Sequence, residues 1–226
     1  MKFIVKYSKE KDSIPYLNNF WKSSWIDYGG NQLEMGKKYL PAEFLETLNK
    51  AKTKDKAINI ILEYWKSVRN KNFKKDTDLI IKWYSLILNE EQDLIIKLLE
   101  KVYNKKFPFK KITVYLTTAP SCPYHYEKKW FMAHRNSQMM NLFNVSIHEL
   151  NHFMFYYYWR DYLIKQNISN EKIEYLKESF AVLTSSNPNE NSEKPNILSI
   201  QNFVKANKGK PIKEIIDLVI KEGLLK

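Results

Sequence analysis

The stretch NVSIHELNHFMFYYYW, residues 144–159, most constrains what this chain can fold into. It is apolar and aromatic, and it holds no Pro or Gly that would break a helix. Ile147, Leu150 and Met154 recur at helical spacing and form a core-facing stripe. The aromatic run behind them has to be covered by other elements. Into this setting the chain puts His148, Glu149 and His152. Residues i and i+4 share a helix face, so the two imidazoles project side by side, within reach of one ion. Glu149 is rotated by roughly 100° from His148 and stands beside the same point. An HExxH helix thus offers two imidazole ligands and a carboxylate that can hold a water and take its proton.

Cysteine usage narrows the ligand set. Cys122 is the single cysteine, so an intrachain disulfide is excluded and thiolates cannot build the site. The ligands must be His and carboxylates. A reducing, cytoplasmic location is the expectation. The longest purely apolar run is the seven residues Phe153–Trp159, far short of the roughly 20 that span a bilayer. The N-terminal MKFIVKYSKEKDS lacks the apolar stretch of a signal peptide. No membrane partner is expected. The net charge of +12 raises nucleic acid as a partner. Lysines are spread along the whole chain, however, and clusters such as Lys105-Lys106 and Lys110-Lys111 are short. Nucleic-acid binding is therefore the weaker reading.

A zinc site of this type needs a third protein ligand and one open position. No His follows His152, so a carboxylate must serve. Glu171, Glu174 and Glu178 lie on the next expected helix. Glu178 is preferred because it is the last charge before the uncharged SFAVLTSSNPN, and a carboxylate entering apolar surroundings needs a cation. Glu174, one turn earlier, is the candidate to orient a ligand imidazole. Ser179 and Ala181 are small and would let this helix approach the HExxH helix.

The rest of the chain reads as an α+β fold. Residues 2–7 form a strand. Asp12 or Ser13 caps a helix that carries Pro15 in its first turn and runs through Trp21, and a loop follows around Tyr28 to Asn31. Helices are expected from Pro41 to about Lys50, around Ala57 to Val68, from a cap at Asp76 or Thr77, and from about Glu90 to Asn104. KITVYLTTA, 111–119, is the best strand, and WFMAHR, 130–135, is a second, with a loop over 120–128. The HExxH helix starts near Ser137 or Asn144 and ends near Ile164. A further helix, capped by Ser169 or Asn170, runs to Thr184. A polar loop and one or two amphipathic helices over 197–226 complete the chain. Residues 1–106 are thus a mostly helical region and 107–226 carry the sheet and the site, as one compact unit.

HELNH at 148–152 and ESFA at 178–181 together resemble the gluzincin group of zincin metallopeptidases, over roughly residues 111–184. That resemblance implies a zincin-like fold with a small sheet above the cleft. It implies zinc held by His148, His152 and Glu178, with Glu149 as general base. A peptide or protein would be the substrate, and WFMAHR would be the edge strand that pairs with it. Gluzincins place a Tyr or His after the third ligand to stabilise the oxyanion, and this chain has neither there. Tyr156, Tyr157, Tyr158, Tyr175, His125 and His134 are the candidates for that role, Tyr157 and His134 foremost. The region Met132-Ala133-His134-Arg135-Asn136 lacks the Glu that marks the aminopeptidases, so endopeptidase action is expected. The alternative is a catalytically silent, metal-binding or regulatory protein on the same fold.

Overall fold

The computed structural model describes residues 1–21, 37–184 and 195–225. Runs of β-branched and aromatic residues make the sheet. KFIVKY forms β1 (Lys2–Tyr7), and KITVYLT forms β2 (Lys111–Thr117). They pair in parallel, from Lys2 opposite Lys111 to Tyr7 opposite Leu116. A parallel pair needs a long crossover, and most of the first half of the chain supplies it. That half contains α1 (Lys9–Phe20), α2 (Ala42–Asn49), α3 (Lys54–Val68), α4 (Phe73–Glu90) and α5 (Gln92–Tyr103). After β2 come a two-residue strand β3 (Tyr124–His125) and then β4 (Trp130–His134). The sheet order is β1-β2-β4-β3, with β4 parallel to β2 and β3 antiparallel to β4.

WFMAH is therefore an interior strand, which corrects its expected place at the sheet edge. The segment before it folds back along its open side. Met132 N–H donates to the Pro123 carbonyl at 2.9 Å, and Tyr124 lies opposite Phe131. Two prolines disguised this segment as loop. Its pairing depends on where the chain returns, which local propensity does not encode.

The helix bearing HELNH, α6 (Met139–Lys165), crosses this sheet for 27 residues. Leu150, Phe153, Met154, Phe155 and Leu163 are fully buried against Ile112, Val114 and Leu116 of β2 and the helices around them. A sharp turn led by Ser169, whose hydroxyl accepts from Lys172 N–H, opens α7 (Asn170–Phe180). A single 3₁₀ turn, Ala181–Leu183, ends it, so the helix stops short of Thr184 as regular α-helix. Two helices, α8 (Pro195–Ala206) and α9 (Ile212–Lys221), close the far side, with Ile212, Ile215, Ile216 and Val219 buried. β1, α4 and α5 belong to this same core, so residues from the first half of the chain help build the bed of the α6 helix. A second, smaller core joins α1, α2 and α3 through Tyr16, Phe20, Leu45, Leu48, Ile61 and Trp65.

Two helix starts differ from expectation. Ser8 caps α1, so Pro15 sits in its interior, and Asp12 serves elsewhere. Asp12 is fully buried and accepts from Tyr7, Arg69, Thr117 and Thr118, which ties α1 to the end of β2. α4 begins at Phe73, after Asn72 and ahead of the expected cap at Asp76 or Thr77, and Thr77 turns its hydroxyl back to the Phe73 carbonyl at 2.6 Å. The expected loop around Tyr28 to Asn31 and residues 185–194 of the expected polar loop SSNPNENSEKPN lie outside the described residues; the last two residues of that loop, Pro195 and Asn196, belong to α8. No helix among the described residues is long and apolar enough to cross a membrane.

Candidate metal centre

His148 and His152 stand one helical turn apart on α6, their ring centroids separated by 4.3 Å. Glu178 approaches from α7. Its Oε2 lies 3.6 Å from His148 Nε2 and 3.4 Å from His152 Nε2. Two donors about 2.0 Å from one tetrahedral ion stand roughly 3.3 Å apart, so these separations suit a shared divalent cation such as zinc. The donor set, two imidazoles and one carboxylate, is the type that zinc takes at a site with an open fourth position. One donor atom from each residue lies within 4.8 Å of the others. His152 is enclosed, with 2% of its side chain exposed, whereas 40% of His148 is open to solvent. The site is thus reached from the His148 side.

Glu149 is buried beside the pair, and its Oε2 has no hydrogen-bond partner. A buried carboxylate oxygen left without a donor is costly and calls for a water or a cation. Among the protein's own groups, burial pushes the Glu149 carboxyl up to about 7, while the charges of His148 and Lys177 pull it part of the way back. That lies where a proton can be both taken and returned near neutral pH. Burial pulls His152 down to about 3, and the Lys177 charge adds to it, so this imidazole is neutral and free to ligate. Burial also opposes charge on His148, but its hydrogen bond to Glu178 and the nearby carboxylates outweigh this and raise it. For Glu178, burial acts upward, yet the neighbouring imidazoles and the Lys177 ammonium hold it well below the usual carboxylate range.

Of the three acidic candidates on α7, only Glu178 reaches the imidazoles. Glu171 accepts from Tyr175, its neighbour one turn on. Glu174 accepts from Lys177 Nζ at 2.9 Å, so it holds a lysine where it was expected to orient an imidazole. Ser179 turns away from α6 and donates to Tyr175 and Ile197 carbonyls, and its small size serves the contact with α8.

The oxyanion candidates are engaged elsewhere. Tyr157 is 53% exposed and packs edge-on against Phe109. His134 accepts from Asn136 N–H through Nδ1, and burial lowers its pKa. Tyr158 donates to the Lys106 carbonyl, Tyr156 packs on Tyr126, and His125 lies against Trp130. For Tyr157 and Tyr158 the reason is helical: only about one residue in four faces a given neighbour, and the face bearing His148 and His152 excludes both.

Three side chains absent from the sequence reading shape the site. Asn151, inside the motif, is fully buried; it accepts from Tyr103 and donates to Thr184, both at 2.9 Å. It ties α6 to α5 and to the end of α7. Removing it strands those partners, so Asn151→Ala is expected to cost about 1–3 kcal/mol in a urea titration. Tyr124 of β3 lays its ring 5.5 Å from that of His152. Lys177 bonds Tyr124, Glu174 and Glu178 at once. A signal for Lys177 exists: it falls in the stripe Ile173, Leu176, Lys177, Phe180, whose other members are all core.

A groove of about 920 Å³ lies apart from this cluster, lined by Tyr7, Trp65, Arg69 and Phe73 among others. The Arg69 guanidinium already covers its aromatic faces, 3.8 Å from the Trp65 ring and 4.3 Å from that of Phe73. Its Glu63 and Lys66 are exposed and paired with each other at 2.6 Å, and the one metal-ligand group among the described residues lies outside it, so the chemistry is sought at His148, His152 and Glu178.

No family model matches the chain, and neither does any curated protein or solved structure. The functional reading therefore stands on the site itself.

Proposed function

We propose that this protein is a zinc-dependent metallopeptidase of gluzincin type, acting as an endopeptidase on peptide or protein substrates. The observation that carries the reading is the convergence of His148, His152 and Glu178 beside a buried carboxylate, Glu149, with an unpartnered oxygen. Three protein ligands leave the open position that a catalytic site needs. Zinc, when bound, supplies Lewis acidity that polarises the scissile carbonyl and acidifies a water.

The chain's own residues do the rest. His148 and His152 would hold the ion through Nε2, and Glu178 through Oε2. Glu149 takes the proton of the attacking water onto its carboxylate, holds it where bulk water is excluded, and returns it to the nitrogen of the leaving amine. Tyr124 lies beside the His152 ring and is itself backed by Phe153, which packs on Tyr126; this aromatic cluster covers the His152 side, and a drier surround strengthens electrostatic interactions within the site.

Zinc content tests the reading. The parent protein, stripped with a chelator and reloaded, is expected to hold near-stoichiometric zinc, and His148→Ala or His152→Ala to hold background levels. A parent chain that stays metal-free after reloading would rule the proposal out. One observation favours a second reading, a metal-binding protein without turnover: neither Tyr157 nor His134 reaches the cluster. Cleavage of casein or a peptide library separates the two, since a silent protein binds zinc and cuts nothing.

A further inference from the structure

Lys177 is a cation on the core-facing stripe of α7, with 1% of its side chain exposed. An ammonium carries three hydrogens and accepts none, and all three are spent. Nζ reaches Glu178 Oε1 at 2.9 Å, Glu174 Oε2 at 2.9 Å and the Tyr124 hydroxyl at 2.7 Å. Tyr124 in turn donates to the Tyr156 hydroxyl at 3.3 Å, which anchors the cradle to α6 as well as β3. The two oxygens of Glu178 therefore have different occupations. Oε1 is held by the ammonium, and Oε2 faces the two imidazole nitrogens. Swinging Glu178 so that both oxygens meet one point would break the Oε1 contact and leave a buried ammonium short of an acceptor.

We propose that Lys177 is a positioning residue that makes Glu178 a one-oxygen metal ligand, with Glu174 and Tyr124 holding the lysine in place. This rests on the metal reading above. Groups that orient a ligand govern metal affinity as well as geometry. Two opposing effects give the inference a sign. Coulomb's law says that removing a positive charge beside a cation tightens its binding. Loss of orientation weakens it.

Lys177→Met, which keeps the length and drops the charge and donors, is expected to weaken zinc binding about 10- to 100-fold in a chelator competition. Cobalt-loaded protein gives a second readout that mere loss of stability would not produce. Its visible absorption is expected to shift from the strong bands of four-coordinate cobalt toward weaker five-coordinate ones as Glu178 turns both oxygens inward. Circular dichroism checks that the variant is folded. If it is not, Lys177→Gln, whose amide offers two N–H groups, is judged by the same two readouts.

Zinc binding unchanged or tightened, with an unaltered cobalt spectrum, overturns the role of Lys177 and leaves the metal reading intact. A parent protein that binds zinc no better than His148→Ala overturns the metal reading and this inference with it.

Discussion

Glu149→Gln is expected to lower peptide cleavage by about 10²- to 10⁴-fold while zinc content stays at the parent level. The substitution keeps shape and volume and removes only the capacity to take a proton. Glu149 makes no contribution to the donor set of His148, His152 and Glu178, so metal retention is part of the prediction. Equal cleavage by the two proteins would remove Glu149 from its role as base.

The same substitution has a stability signature of opposite sign. In the metal-stripped protein burial raises the Glu149 carboxyl from an ordinary value near 4.5 to about 7. The folded state then holds its proton more tightly than the unfolded state does, so stability falls as pH rises between those values. Above neutrality the penalty reaches roughly 3 kcal/mol. Gln carries no such penalty. Metal-stripped Glu149→Gln should therefore melt higher than the metal-stripped parent at pH 8 and nearly alike at pH 4. A gap that shrinks as pH rises would contradict the burial argument. Such a residue trades stability for activity.

Asp12→Ala is expected to destabilise the fold by about 3–5 kcal/mol, the cost of stripping a buried charge network of one partner. Asp12 Oδ1 accepts from Thr118 N–H at 2.7 Å and the Thr117 hydroxyl at 2.9 Å, and Oδ2 from Arg69 Nη2 at 2.7 Å and the Tyr7 hydroxyl at 3.0 Å. Without the carboxylate, the largely enclosed Arg69 keeps its charge and loses its counter-ion. The network also pins the carboxyl end of β2, from which the chain runs on to Cys122 and Tyr124. Urea denaturation measures the loss. A change below about 1 kcal/mol would show that the network is replaceable by water.

Much of the fold was legible because its signals are local. β-branched and aromatic residues marked β1 and β2, the short run WFMAHR marked β4, and helical spacing marked α3. Asp12 misled because an Asp one turn into a helix has the same composition as an Asp at its cap. Only the presence of Arg69, Thr117 and Thr118 around it distinguishes the two. β3 carries no local signal because two residues just after Pro123 have no period.

For the site, residue spacing by itself determined that His148, His152 and Glu149 share one region of a helix, since 3.6 residues per turn is a property of the backbone alone. The absence of a downstream His required a carboxylate. Only the packing of α7 on α6 decided that Glu178 meets the imidazoles while Glu171 and Glu174 bond to neighbours on their own helix. Only the return of β3 along β4 brought Tyr124 to Lys177, moved β4 from the sheet edge to its interior and helped turn a lysine of ordinary appearance into a buried cation. Those outcomes depend on contacts between residues far apart in the chain, where periodicity carries no information.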